Sequence, residues 1–192
     1  MQINDHMLIA KYLFNEKNYN DFNLKRKAFV LGCIQPDFNP LTYLKGSFNN
    51  KILHGHNFKN SFNFLKRKIT TLKKKDKLRL KDYYNLGKII HYLVDDFTYP
   101  HNSDFPENVI EHRKYEKELH EVFEEYLKNE NKVINFSYLS KEEIIEYIVN
   151  NHDEYVEVKP TFLRDCKYIL SVCISVLNAF ESEEYQLVFE AA

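Results

Sequence analysis

The stretch that decides the fold is LGKIIHYLVDDFTYPHN, residues 86–102. Its apolar residues recur at three- and four-residue spacing, which predicts a helix. His91 and Asp95 are four residues apart, so they share one face of that helix. Because Pro100 cannot continue a helix, we expect His101 to leave it and turn back toward the same face.

A second stretch, IEHRKYEKELHEVF at residues 110–123, carries a matching pair. His112 and Glu116 are again four residues apart and share one face of a following helix. His120 continues that face by one turn and is expected to lie beyond the pocket. A single pair at this spacing is often an ordinary hydrogen-bonded pair. Five nitrogen and oxygen donors from two adjacent helices instead predict a metal site, because zinc prefers these ligand types.

Three further donors lie outside these stretches: His6, Asp37 and either His54 or His56. His6 falls in the first turn of the first predicted helix. Asp37 follows the second predicted helix in GCIQPD, where Pro36 disfavours helical geometry in the preceding residue and lets the carboxylate face a cleft. His56 begins the third predicted helix, whereas His54 would point elsewhere. Catalytic zinc sites use about three protein ligands, so these donors are numerous enough for more than one ion.

The pattern of the whole chain predicts an all-α protein. Only 4 Gly and 5 Pro occur, and apolar residues recur mostly at helical spacing. Helices are predicted at about 5–17, 23–34, 57–75, 80–99, 107–129, 141–152 and 160–187. Asp5 would cap the first helix and Asn108 the fifth. We expect one helical-bundle domain that spans residues 1–192.

Two connectors interrupt the predicted helices. The longer one is residues 35–55, and a loop of this length in a compact domain is usually functional or poorly ordered. The other is KVINFSYLS at residues 132–140, which fits either a short strand or an extended connector.

Charge and cysteine content limit the class of protein. The formal net charge of −1 provides no electrostatic case for nucleic acid or an anionic membrane as an obligatory partner. We interpret the basic run at residues 66–81 as a solvated helix end and turn, rather than as a phosphate-binding patch. Cys33, Cys166 and Cys173 are expected to be reduced and buried. The sequence shows neither a signal peptide nor an apolar run of membrane-spanning length, which predicts a cytoplasmic protein.

The chain resembles the zinc-dependent phospholipase C family, a bacterial all-helical fold that binds three zinc ions in a cleft. The single-strand-specific zinc nucleases share that fold. One match is HYLVDDFTYPH at residues 91–101, where H-x3-D continues into P-x-H or a near variant. The other is HRKYE at residues 112–116, where the phospholipases have H-x3-E and the nucleases H-x3-D. The resemblance covers roughly residues 5–125.

The resemblance implies ligands for three zinc ions. The implied sets are Asp37, His56, His91 and Asp95 for the first ion; His101, His112 and Glu116 for the second; and His6 with Asp95, which bridges to the first ion, for the third. It also implies that Asp37 orients or deprotonates the attacking water.

The third ion marks a departure from the family. Members of known activity bind it through the amine and carbonyl of a mature N-terminal Trp, and this chain contains no Trp. Met1 lies five positions before His6, the spacing of the nuclease branch, and the bulky Gln2 favours retention of Met1. An α-amino group has a pKa of about 7.7–8.0 and can act as a neutral donor. We therefore expect Met1 to replace the Trp; the alternative is that His6 binds no metal or that water fills the position.

These observations predict a zinc-dependent hydrolase of phosphate diesters or phospholipids, in which two or three Zn²⁺ ions activate water. The alternatives are a zinc nuclease, a non-catalytic metal-binding descendant that binds a partner or lipid, and a purely structural metal protein. Glu116 in place of Asp, and the lack of net positive charge, disfavour a nucleic-acid substrate.

Overall fold

The computed structural model describes residues 1–13, 24–39, 58–103, 105–106, 108–159 and 161–180. Within these ranges the chain forms seven α-helices and no strand, which confirms the predicted all-α class. The helices are α1 (Ile3–Leu13), α2 (Leu24–Phe38), α3 (Phe58–Lys73), α4 (Leu80–Asp96), α5 (Val109–Lys128), α6 (Ile144–Glu157) and α7 (Phe162–Phe180). A short 3-10 helix, Tyr99–His101, follows α4.

Helix α4 lies at the centre of the fold and contacts α1, α2, α3 and α7. It begins with a capping box in which the backbone N–H of Arg79 donates to Asp82, 3.0 Å away. From Leu86 to Asp96 nearly every side chain is buried, including the fully buried Ile89 and Leu93. Each buried aliphatic side chain contributes about 1.5–3 kcal/mol to folding. The helix that carries two of the expected ligands is therefore held rigidly in the core.

Two glycines bring α2 unusually close to α4. A Cβ added at Gly32 would overlap the carbonyl oxygen of Tyr84, and a Cβ added at Gly87 would overlap that of Phe29. Only glycine permits this approach, because any side chain at either position would push the helices apart. The backbone of α2 thereby comes within reach of the side chains of α4.

Helix α2 continues through Pro36 to Phe38, so the prediction that it ends at residue 34 was wrong. Proline removes one helical hydrogen bond, and here the loss falls in the last turn. Pro36 is itself buried, so packing contributes to offsetting that loss. Asp37 therefore lies within the last turn of α2 rather than in a loop. Residues 35–38 of the predicted loop 35–55 are helical, and residues 40–55 lie outside the described residues.

The end of α4 confirms the role predicted for Pro100. The helix stops at Asp96, three residues earlier than predicted, and Pro100 lies in the first turn of the 3-10 helix. The side-chain amide of Asn102 closes this corner by donating to the carbonyl oxygens of Asp96 and Thr98, at 3.1 and 3.0 Å. His101 consequently leaves the axis of α4.

The other boundaries differ from the predictions by a few residues, α6 being displaced toward residue 157. Helix α1 begins at Ile3, so Asp5 lies in its first turn and is not its cap. Asn108 caps α5 as predicted, its side chain accepting the backbone N–H of Ile110 at 2.9 Å. Residues 132–140 form a connector without regular secondary structure rather than a short strand. The ends predicted for the first and last helices, 14–17 and 181–187, lie outside the described residues.

All three cysteines, Cys33, Cys166 and Cys173, are buried free thiols, as predicted. Burial raises the pKa of the Cys166 thiol to about 12, with the nearby Asp165 carboxylate adding to the effect. These thiols are therefore neutral core side chains. None of the helices in the described ranges combines the length and apolar character needed to cross a membrane.

Candidate metal centre

Helices α1 and α4 bring three fully buried side chains together, His6, His91 and Asp95, here termed the inner cluster. The Nε2 atom of His6 lies 3.3 Å from Oδ1 of Asp95, and the Nε2 atom of His91 lies 3.3 Å from Oδ2. The two imidazole rings stack with their centroids 4.0 Å apart. Both carboxylate oxygens of Asp95 therefore face imidazole nitrogens.

The orientation of His91 depends on the close packing of α2. Its Nδ1–H donates to the carbonyl oxygen of Cys33 at 2.7 Å. This bond leaves Nε2 as the lone-pair nitrogen toward the cluster, the arrangement found in metal-binding histidines. One turn further along α2, the Asp37 oxygens lie 3.7 Å from Nε2 of His91 and 3.8 Å from Nε2 of His6. Asp37 thus borders the inner cluster.

The second group, the outer cluster, consists of His101, His112 and Glu116. Oε1 of Glu116 lies 3.3 Å from Nε2 of His101 and 3.0 Å from Nε2 of His112. The side chain of His112 is 33% exposed, so this group borders solvent. The 3-10 helix and the first turns of α5 therefore supply a second convergent donor set.

The amine of Met1 lies between the two clusters. Its nitrogen is 2.7 Å from Oδ1 of Asp95, 3.0 Å from Nε2 of His101 and 3.1 Å from Oε1 of Glu116. Burial lowers the pKa of this amine, but the carboxylates of Asp95, Glu116 and Asp37 outweigh burial and raise the pKa to about 11. The metal-free amine is therefore an ammonium, which lies where the carboxylates of both clusters converge. It could bind zinc only by losing that proton to the incoming ion.

The charges of the neighbouring groups suit metal binding. Burial, and next the positive charge of the N-terminus, lower the pKa of His101 to about 4. Burial raises the pKa of Asp95, but the N-terminal amine and three histidines hold it well below its usual range. Burial likewise opposes ionisation of Glu116, and the same amine and its histidine partners hold its pKa below the usual range. Neutral imidazoles and ionised carboxylates are the forms that bind metal ions.

The donors also fit zinc in distance and chemistry. A tetrahedral zinc ion with bonds of about 2 Å separates its ligand atoms by about 3.3 Å. The nitrogen–oxygen separations of 3.3 Å in the inner cluster, and of 3.0 and 3.3 Å in the outer cluster, match this value. Both ring nitrogens of His6 are buried without a hydrogen-bond partner. Buried polar atoms without a partner are costly unless an ion or water satisfies them.

Two buried polar groups that the sequence did not single out support the outer cluster. Nε2 of His152 on α6 donates to Oδ1 of Asn102 at 2.9 Å, next to His101, and its ring stacks on Phe58 with centroids 3.6 Å apart. Sequence provides little signal for this role, because His152 is an isolated histidine.

Asp165 on α7 accepts hydrogen bonds from the hydroxyls of Tyr115 and Tyr155, at 2.9 and 2.8 Å, and from the backbone N–H of Tyr99 at 3.3 Å. Burial raises its pKa to about 6 against these hydrogen bonds. Tyr115 immediately precedes Glu116, so the network braces the outer cluster. The sequence did contain a signal that Asp165 is buried, because it lies four residues before Ile169 and so shares the apolar face of α7.

The structure brings most of the predicted ligands together. It places Met1, His6, Asp37, His91, Asp95, His101, His112 and Glu116 around one centre. His6 and His91, predicted as ligands of two different ions that share Asp95, lie together in the inner cluster, and the ion that each would bind stays a prediction. His56 and its alternative His54 lie outside the described residues.

A family model described as zinc-dependent phospholipase C matches residues 5–162, which is most of the chain. No curated protein and no solved structure matched the chain. The match extends beyond the metal-binding helices to the start of α7. It therefore includes α6, which carries His152, but not Asp165, which accepts the hydrogen bonds of Tyr99, Tyr115 and Tyr155.

Proposed function

Because the chain belongs to the zinc-dependent phospholipase C family, we propose that it hydrolyses phosphodiester bonds of phospholipids at the inner and outer clusters. The position of Asp95 carries the proposal. One of its oxygens faces His91, and the other faces His6 and the Met1 amine, with Nε2 of His101 at 3.7 Å. A carboxylate that links two donor sets is the arrangement expected for ions that act together.

We assign the zinc ligands by cluster. The inner set is His6, Asp37, His91 and Asp95, with His56 added from outside the described residues; the outer set is His101, His112 and Glu116, with the Met1 amine between the two sets. These donors suffice for two or three ions at about three protein ligands each. Bound zinc would lower the pKa of water toward neutrality and neutralise charge on the phosphoryl oxygens.

The protein side chains accept the proton of the attacking water and determine the side from which the substrate approaches. The Asp37 oxygens lie 3.7 and 3.8 Å from the histidine nitrogens of the inner cluster, farther than the 3.3 Å between His6 and Asp95. This position suits Asp37 to accept the proton of an attacking water. His112 is the most exposed of the clustered ligands, so a phosphate group would approach from the side of the outer cluster. The buried inner cluster keeps the ionised carboxylates in a region of low dielectric, where their interactions are strong.

A hydrolysis screen tests the proposal. Zinc-loaded protein would be assayed with choline and ethanolamine phospholipids, bis-p-nitrophenyl phosphate and single-stranded nucleic acid, and its metal content measured in parallel. We expect two or three equivalents of zinc, phospholipid hydrolysis, and loss of activity and of stability on chelation. Asp76→Asn, a carboxylate change at an exposed site, is the control for Asp37→Asn, which should reduce kcat strongly.

Three results would contradict the proposal. Less than one equivalent of zinc after metal-supplemented expression would show that the two clusters do not form a zinc centre. Preferential cleavage of single-stranded nucleic acid would assign the centre to a nuclease instead. Bound zinc without any hydrolysis would indicate a structural or non-catalytic metal site.

A further inference from the structure

Four cationic side chains gather on the solvent side of α3 and α4: Arg67 and Lys68 on α3, and Lys81 and Lys88 on α4, here termed the cationic patch. Burial lowers the pKa of the Lys68 ammonium, and the charges of Lys88, Arg67 and Lys81 lower it further. These charges therefore lie close enough to repel one another. Arg67, Lys68 and Lys81 belong to the basic run at residues 66–81, and Lys88 lies beyond that run on α4.

Neutral side chains, rather than acidic ones, contact the lysines of the cationic patch. The Lys68 ammonium donates to Oδ1 of Asn85 at 2.7 Å, and the Lys88 ammonium lies 4.7 Å from the ring centroid of Tyr84. Within the described ranges, no Asp or Glu forms an ion pair with any of the four cations. Mutual repulsion that the protein leaves uncompensated is relieved when an anion binds.

The cationic patch and the metal centre share one side of α4. Lys81, Tyr84, Lys88, His91 and Asp95 follow one another at spacings of three, four, three and four residues. Side chains at this spacing project from the same side of a helix. Lys88 precedes His91 by three residues, an axial rise of about 4.5 Å. An anionic surface at the patch would therefore lie beside the metal-bearing half of the helix.

The near-zero net charge of the chain conceals a strong polarity. Residues 1–103 contain 18 Lys and Arg against 8 Asp and Glu, whereas residues 104–192 contain 9 against 20. All of α1 to α4 belongs to the basic part. The formal charge of −1 is thus a poor guide to electrostatic partners, because the two signs are segregated along the chain.

We propose that the cationic patch docks the protein on an anionic phospholipid surface, beside the metal centre. The choice of a lipid surface over another polyanion rests on the proposed function. Each lysine near an anionic bilayer contributes about 1 kcal/mol, roughly a factor of five in affinity. Four cations in one place suffice for binding that depends on anionic lipid and weakens with salt.

Vesicle flotation tests the docking with zinc-loaded, full-length protein. The vesicles contain phosphatidylcholine alone, or phosphatidylcholine and phosphatidylglycerol in equal parts. We expect binding to the mixed vesicles, reversed by high salt, and a loss of about 25-fold in Lys68→Gln/Lys88→Gln. The matched control is Lys159→Gln/Lys167→Gln, which changes two exposed lysines, one just after α6 and one on α7. Its vesicle binding should stay within about twofold of wild type. Arg67→Gln/Lys81→Gln provides a second patch variant if the first fails to fold.

Hydrolysis of bis-p-nitrophenyl phosphate, which requires no surface, separates docking from chemistry. Patch variants that keep this activity but lose vesicle binding support the docking. Charge-dependent vesicle binding without any hydrolysis would leave the docking intact and reject the proposed function. Equal binding to both vesicle types, or wild-type binding by both patch variants, would overturn the docking. So would tighter binding to a single-stranded oligonucleotide that the same substitutions abolish.

Discussion

His120 on α5 donates a hydrogen bond from Nδ1 to the buried carboxylate of Asp5 on α1, at 2.5 Å. The other oxygen of Asp5 accepts the backbone N–H of Gln2 at 3.0 Å. Asp5 immediately precedes His6, and His120 lies one helical turn after Glu116. This contact therefore joins the helices that carry the inner and outer clusters, and it orients the first residues of the chain.

Asp5→Asn should weaken both the protein and its metal centre. Loss of a charge-assisted hydrogen bond to a buried carboxylate costs about 2 kcal/mol in the free energy of unfolding. Because Asp5 adjoins His6, zinc affinity should fall as well, which titration of the metal-free protein would measure. Glu125→Gln, an exposed change on α5, is the control. Unchanged zinc affinity in a destabilised Asp5 variant would mean that the contact has no role in positioning.

The same contact predicts a pH dependence of stability. The hydrogen bond to Asp5, more than offsetting partial burial, raises the pKa of His120 above 6.5. A raised histidine pKa stabilises the folded protein fully below the unfolded value, and this stabilisation is lost as the pH rises through the folded value. Urea unfolding of His120→Gln and wild type should therefore differ more at pH 6 than at pH 9. A difference that grows with pH would contradict this reading.

Asp95→Asn should reduce activity more than Glu116→Gln. One oxygen of Asp95 contacts the Met1 amine and the other contacts His91. In Glu116, by contrast, a single oxygen, Oε1, makes the contacts with both histidines of the outer cluster. Loss of Asp95 therefore disturbs the link between the clusters, and loss of Glu116 disturbs one of them. Zinc content and kcat measured together would distinguish the two. Small and equal losses in both variants would argue that the centre is not catalytic.

An N-terminal extension should lower zinc content by about one equivalent and depress activity, whereas a C-terminal tag should not. The Met1 amine lies within 3.1 Å of Asp95, His101 and Glu116, so a peptide bond there would remove a donor from a buried site. The prediction applies to protein whose intact mass shows that it begins at Met1. Indistinguishable zinc content and activity in the two tagged forms would reject Met1 as a ligand but leave the remaining ligands standing.

Gly87→Ala should damage the metal centre from outside it. The added methyl group would overlap the carbonyl oxygen of Phe29 and force α2 away from α4. Overpacking of this kind costs about 1–3 kcal/mol. It would also move the Cys33 carbonyl away from His91, so zinc affinity should fall together with the melting temperature. Lys27→Ala, exposed on α2, should change neither, and a Gly87 variant with wild-type zinc affinity would contradict the prediction.

His152 should make the protein sensitive to acid. Burial lowers its pKa from 6.5 to about 4. The neutral ring therefore stabilises the fold above pH 6.5, and this stability is lost as the pH falls toward 4. Between pH 7 and pH 5 the loss amounts to about 2 kcal/mol. His152→Gln, which can still donate to Asn102, should lose less stability than wild type over this interval in urea unfolding, and an equal loss would refute the assignment.

The helical class and the pairing of most candidate ligands could be predicted because both depend on local spacing. His91 with Asp95, and His112 with Glu116, meet on a helix face wherever that helix lies. Pro100 acts locally too, since it ends a helix in almost any context. The same reasoning failed at Pro36, where the burial of α2 against α4 overrode the local preference and kept Asp37 helical.

The sequence by itself determined which residues can bind metal and which helices carry them, because donor type and helical periodicity are properties of short segments. Only the tertiary structure decided how those donors combine. It placed His6 beside His91 in one cluster and the Met1 amine between the clusters. It also placed His152 and Asp165 behind the outer cluster and the cationic patch beside the centre. These relationships join residues distant in the chain, and they arise from helix packing, such as the Gly32–Gly87 contact, which no local pattern encodes.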